Sequence, residues 1–218
     1  TFTPYPGSRY GVTLATGTVD VGTGRPSIVT APGPGEPARI MTFRYDLYTP
    51  TEAARARGGT TDPGRDPAMT AEFDAYDPAY TGGVSLATVW VAGAEGGAQS
   101  VITGQLTGPG EVRVWSTGSR LDGGPAMYLH SPEHHAAMTE FAQIASFTPF
   151  PGQAGVRVAT SSTTTGADLI VSGMGPGGSE VRKYALARPD PAARTVAPTL
   201  LTTLPPLPAA TPAPLGGR

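Results

Sequence analysis

The 218-residue chain has no cysteine. Disulfide scaffolds, thiolate metal sites and cysteine nucleophiles are excluded, while the redox state of the compartment stays open. Asparagine is also missing, and with it any N-x-S/T glycosylation acceptor. Lys183 is the single lysine, and it lies in Glu180-Val-Arg-Lys-Tyr184 with no G-x-x-x-x-G-K-S/T ahead of it. A P-loop is thereby excluded and a Schiff-base lysine disfavoured. Charge is scarce as well, 15% of residues, with 15 basic against 17 acidic. A net charge of −2 gives no footing for phosphate neutralisation, so neither nucleic acid nor an anionic membrane is expected as a partner. No apolar run approaches the roughly 18–20 residues of a transmembrane helix. The chain does not open on a basic segment followed by an apolar one, so no signal peptide is expected within it.

Glycine and proline are what the chain has in excess, 30 and 24 residues, close to a low-complexity composition. Against disorder stands the 39% hydrophobic content, which recurs in short bounded runs. Those runs repeat. Gly11-Val-Thr-Leu-Ala-Thr16, Gly83-Val-Ser-Leu-Ala-Thr88 and Gly155-Val-Arg-Val-Ala-Thr160 are one hexapeptide written three times at equal spacing. Ahead of each sits an aromatic lead-in: Phe2-Thr-Pro-Tyr-Pro-Gly7, Phe73-Asp-Ala-Tyr-Asp-Pro78 and Phe147-Thr-Pro-Phe-Pro-Gly152. Behind each come a β-branched run (Ile28–Ala31, Val101–Gly104, Leu169–Gly173), a Gly/Pro turn and a second run (Ala38–Phe43, Val112–Trp115, Val181–Tyr184).

Lead-in, hexapeptide and the two runs read as four short strands per unit. The apolar middle runs fit central strands covered on both faces, and the glycines of the turns supply positive φ. The units are placed at about 1–72, 73–146 and 147–188. Two helices are expected in the stretches that separate them: Glu52–Arg57 after Thr51, and Pro132–Ala145 with Ser131 as N-cap. Residues 189–218 are Pro-rich and read as an extended polyproline II tail, unable to form a central strand. Within it Leu200, Leu201, Leu204 and Leu207 are expected on a surface of this or a neighbouring molecule. The third unit has no lead-in after it, so Thr1–Gly7 is a candidate to pair with it and close the structure.

The order GVxLAT, I/L-V-T/S, GPG turn and V-R-V-aromatic resembles the FG-GAP (VCBS-type) β-propeller repeats abundant in secreted proteins of planctomycete-like bacteria. Phe73-Asp-Ala-Tyr-Asp-Pro-Ala-Tyr-Thr-Gly-Gly-Val84 is the most specific match, supported by Ile28–Gly35 and Ile170–Gly178, and the likeness covers about the first 185 residues apart from the insertions. It implies four-stranded blades, an extracellular location, and roles in adhesion or ligand display. Family repeats carry a calcium loop with several aspartates; here Thr18–Pro26 keeps Asp20, Trp90–Gln99 only Glu95, and Ser161–Asp168 only Asp168. Calcium takes about six to eight oxygens, so no calcium or other cofactor is expected. Propellers have about four to eight blades. Three units imply a ring shared by two chains, an open partial propeller against another protein, or a pseudo-threefold β-prism or trefoil-like closure.

Candidate chemistry is thin. His130, His134 and His135 cluster with Glu133 and Glu140, but without H-E-x-x-H spacing they read as a solvated, pH-sensitive patch. Asp62, Asp66, Asp74 and Asp77 are the densest carboxylates, and Asp74 and Asp77 are better placed to cap the lead-in turn than to serve a glycosidase. No G-x-S-x-G occurs. Phe2, Phe73 and Phe147, like Tyr5, Tyr76 and Phe150, repeat and so read as core; Tyr10, Tyr80, Trp90 and Trp115 do not all repeat and are candidates for sugar stacking or protein contact. Ser161–Thr165 reads as a flexible loop or an O-glycosylation site. The expectation is an all-β repeat protein, secreted or on the cell surface, working as a non-catalytic structural or binding module with a protein partner or itself. The alternative is a carbohydrate-binding lectin or, further off, a polysaccharide-processing enzyme. No catalytic, cofactor or metal residue is assigned.

Overall fold

The computed structural model describes residues 3–5, 8–20, 25–44, 67–91, 98–117, 129–130, 137–138, 141–163, 166–175, 180–187 and 195–204. Among them every regular element is a strand, and the strands form three four-stranded antiparallel sheets and one short pair. The first sheet orders β1 (Val12–Gly17), β2 (Ser27–Pro32), β3 (Arg39–Arg44) and β4 (Ala68–Asp74). The second contains β5 (Val84–Val89), β6 (Ser100–Gln105) and β7 (Val112–Thr117); β8 (Leu129–His130) and β9 (Ala137–Met138) form the short pair; and β10 (Phe141–Phe147) completes the second sheet beside β7. The third orders β11 (Val156–Thr163), β12 (Gly166–Gly173), β13 (Val181–Ala187) and β14 (Ala197–Leu204).

The hexapeptide opens every sheet, and its glycine has one reason in all three. Gly11, Gly83 and Gly155 have φ of 80°, 81° and 98°, where a β-carbon is strained. Each glycine carbonyl then accepts a backbone N–H from just beyond the second strand: Gly33, Leu106 and Met174 donate at 2.9, 3.1 and 2.9 Å. The bond closes the first hairpin at its open end. The turn glycines Gly35, Gly108 and Gly110 have positive φ as the sequence requires.

Three expectations are corrected. Pro132–Ala145 is not helical where it is described: Ala137–Met138 is strand, and Phe141–Phe147 pairs along β7 with Ile144 buried. Helix propensity differs by only tenths of a kcal/mol between ordinary residues, less than one fully buried aliphatic side chain contributes, so packing decides. The Glu52–Arg57 helix lies outside the described residues. The lead-ins are not first strands, since Phe73 and Phe147 end the fourth strands β4 and β10 of the preceding sheets, and the chain then turns into the next hexapeptide. The sheets span residues 12–74, 84–147 and 156–204.

The third correction concerns the tail. Ala197–Leu204 is extended strand, not polyproline II, and pairs antiparallel with β13 as the fourth strand of the third sheet. Its edge position lets Pro198 sit opposite Leu186 without interrupting an inner ladder. Of Thr1–Gly7 only residues 3–5 are described; they are not strand, and the Tyr5 hydroxyl lies 2.8 Å from the carbonyls of Thr30 and Arg39 in the first sheet.

Two cores lie between the sheets. Val29, Ala31 and Ile40 of the first sheet pack with Val84, Leu86 and Val101 of the second. Ala87, Ile102, Val114 and Ile144 of the second pack with Val156, Val158, Leu169 and Tyr184 of the third. Alternation along β5 explains the division: Val84 and Leu86 point to one neighbour, Ala87 and Val89 to the other. The middle sheet is covered on both faces, which is why all six residues of β6 are buried. Phe73 closes the first core, its ring 4.8 Å from both Trp115 and Phe141, and the Trp115 indole N–H donates to Thr103 Oγ1 at 3.0 Å.

Candidate functional site

The repeat organises the contacts between sheets as well as within them. The Thr88 hydroxyl donates to the Thr16 carbonyl at 2.7 Å, and the Thr160 hydroxyl donates to the Thr88 carbonyl at 2.8 Å, each across 72 residues. The last residue of each hexapeptide is thus tied to the same residue of the one before. Val158 N–H adds a bond to Ser85 Oγ at 3.0 Å. The three first strands therefore stand side by side in one row and in matching register. The row is polar at its threonines and apolar at the Val and Leu positions between them.

Its two ends differ from its middle. Leu86 and Val158 are 7% and 8% exposed because the first and second sheets cover them, whereas Leu14 at the same repeat position is 62% exposed. Val12 is 40% exposed, while Val84 and Val156 are fully buried. The outer face of the first sheet also carries half-buried Ile28 and Met41, with Glu72 opposite Met41 and Arg39 opposite Asp74. Arg39 lies 2.8 Å from Glu72 and 3.7 Å from Asp74. At the other end, the outer face of the third sheet presents exposed Arg157 and Ala159, half-buried Ile170, and exposed Leu204 opposite Val181. Ala87, the counterpart of Ala159, is buried under the third sheet.

Aromatic residues of the lead-ins lock each sheet to its connection. Arg113 lies over the Tyr76 ring at 4.8 Å and Arg182 over Phe150 at 4.6 Å. Tyr76 donates to the Glu111 carbonyl at 2.9 Å. Burial raises the Tyr5 and Tyr76 hydroxyls well above the ordinary tyrosine range, so both remain donors at any physiological pH. Burial also works to raise Glu111, but hydrogen bonds from Arg113 and Ser146 outweigh it and hold the carboxyl below its usual range. These are structural locks, and they give Tyr5, Tyr76 and Phe150 the packing role the sequence suggests, while Phe2 lies outside the described residues.

The remaining candidates fall into place separately. Asp20 is buried, takes a hydrogen bond from Ser27 Oγ at 3.0 Å and lies 3.7 Å from Arg44 Nε. Asp168 Oδ2 is 2.7 Å from Lys183 Nζ. The carboxylates left in two of the degenerate loops are therefore matched by cations of the chain itself. Asp77 caps its turn by accepting the Ala79 N–H at 2.8 Å, while Asp74 turns to Arg39. Asp62, Asp66, Glu95, His134, His135, Glu133 and Glu140 lie outside the described residues, and His130 falls in β8. Among the described residues no three His, Asp or Glu side chains gather as metal ligands.

Of the non-repeating aromatics, Trp115 is buried and Tyr80 is half-buried, bonding to the Gly83 carbonyl at 2.8 Å. Tyr10 and Trp90 are 66% and 45% exposed. Thr16 and Thr88 lie level, so Tyr10 precedes the start of the row and Trp90 follows its end. The five strand steps from the level of Val12 to that of Val89 cover roughly 16 Å at ~3.3 Å per residue, so the two aromatics stand beyond opposite ends of the row and not side by side as one sugar-stacking platform. Sequence reasoning missed the threonine row and the uncovered face; the equal spacing of Thr16, Thr88 and Thr160 was the available signal. No protein family, curated protein or solved structure matches this chain.

Proposed function

We propose that the chain is a non-catalytic, extracellular structural module that assembles through the faces of its repeated sheets, arranged as in a β-propeller of FG-GAP type. The observation that carries this reading is the exposed Val12 and Leu14 on the first sheet, at positions that a neighbouring sheet buries in both later repeats. A monomeric chain gains nothing from apolar residues held in water, whereas a module that is covered on assembly does. The extracellular placement and the blade arrangement rest on the repeat resemblance. The wide separation of Tyr10 and Trp90 weighs against the lectin alternative.

Native mass by light scattering, from about 1 to 200 µM, tests the reading together with a glycan array on the same sample. Assembly that Leu14→Asp abolishes supports it. A monomer throughout this range overturns it, and one that binds glycans in a Trp90-dependent manner moves the function to sugar recognition.

A further inference from the structure

We infer that the uncovered face of the first sheet is filled by the outer face of the third sheet of a second copy of this chain, head to tail. The inference rests on the assembly reading above and names its partner and its two faces. Its warrant is the continuity of an interface the chain already makes twice. Sheet one receives sheet two, and sheet two receives sheet three, each time with a hexapeptide Val and Leu or Val buried and a threonine hydroxyl donating to the threonine carbonyl before it. Among the described residues no strand stands before Thr16 in this row and none after Thr160. Thr16 is exposed at one end of the row, and the Thr160 carbonyl is the counterpart of its acceptor at the other. A second copy placed by the same step brings Thr16 Oγ1 to the Thr160 carbonyl of its neighbour and lays Val12 and Leu14 over Ala159 and Ile170.

The charges agree in sign. Among the described residues, the third sheet's outer face carries Arg157 and Lys183 with Asp168 as the one acid between them, and the first sheet's outer face carries Glu72 and Asp74 with Arg39. One face is therefore cationic by one charge and the other anionic by one, which favours unlike faces meeting over two copies of the same face. Arg157 replaces Ser85 at the position beside the partner's Leu side chain, where its aliphatic stem covers more apolar surface than a serine does. The contact is heterologous. It closes a ring of two chains if two such steps complete the rotation, and extends a filament if they do not.

Two variants, each blocking one face, provide the test. Leu14→Asp puts a charge on the first face and Ala159→Arg a bulky cation on the other; both sites are exposed, and far-ultraviolet circular dichroism checks that each variant stays folded. At a concentration where the wild type is at least a dimer, each variant alone is expected to run as a monomer. An equimolar mixture is expected to give a species of twice the monomer mass, because the Leu14→Asp chain retains its third-sheet face and the Ala159→Arg chain its first-sheet face. Assembly by Ala159→Arg alone, equal to wild type, overturns the inference in favour of first-sheet faces meeting each other and leaves the assembly reading standing. Variants that remain monomeric when mixed likewise overturn the head-to-tail contact, and a monomeric wild type overturns both.

Discussion

The same side-chain truncation made at one repeat position in two sheets isolates what the neighbouring sheet does. Leu14 and Leu86 occupy equivalent places in the hexapeptide, yet are 62% and 7% exposed. Leu86→Ala removes a leucine from the core between the first two sheets, for which losses of about 2–5 kcal/mol are typical. Fully burying a leucine is worth about 1.5–3 kcal/mol, so Leu14→Ala, with about a third of that burial, loses about 0.5–1 kcal/mol in the monomer. With a urea dependence of about 2 kcal/mol per molar, the midpoint falls by roughly 1–2.5 M for Leu86→Ala and by less than roughly 0.5 M for Leu14→Ala. Urea unfolding at about 1 µM, followed by the fluorescence of buried Trp115, reads both. Equal shifts would refute the reasoning, because Leu14 would then be covered within its own chain. Repeating the titration at about 100 µM adds the second half of the prediction: the Leu14→Ala loss grows with concentration if a partner sheet covers that face.

Further expectations follow the same geometry. Thr160→Val removes the hydroxyl that joins the third sheet to the second and lowers stability by about 1 kcal/mol in a chemical denaturation curve. Lys183→Ala leaves the poorly exposed Asp168 without its cation; the partly exposed lysine limits the loss to about 1 kcal/mol in a chemical denaturation curve. Glu111 is held below its usual pKa, so the folded state gains from its ionised form above the ordinary carboxylate range and loses that gain as pH falls through the lowered value. Thermal melts of wild type and Glu111→Gln from pH 7 to pH 3 are expected to converge on acidification. Ending the chain at Leu186 strips β14 and buried Val196 and should abolish folding of the third sheet, as amide exchange would show.

Much of the local structure was legible without coordinates. The turn glycines Gly35, Gly108 and Gly110 mark a backbone conformation that other residues resist, and the runs Ile28–Ala31, Val101–Gly104 and Leu169–Gly173 are apolar because they lie inside their sheets. Repetition identified Tyr76, Phe150 and Phe73 as packing residues, since what recurs in every unit serves what every unit must do. The spacing of Asp20 and Asp168 from other carboxylates was readable too, but not that Arg44 and Lys183 would meet them, because those partners arrive from neighbouring strands.

Tertiary structure decided the rest. Pro132–Ala145 carries the local signals of a helix, yet β7 offers an edge and a core that Phe141 and Ile144 fill better as a strand. Ala197–Leu204 looks like a tail until β13 supplies hydrogen bonds for it. Val12 and Leu14 are written in the same letters as their buried counterparts, so no pattern within the hexapeptide distinguishes a covered repeat from an uncovered one. Burial belongs to the pair of sheets that meet, and only their arrangement in space says which sheet lacks a neighbour.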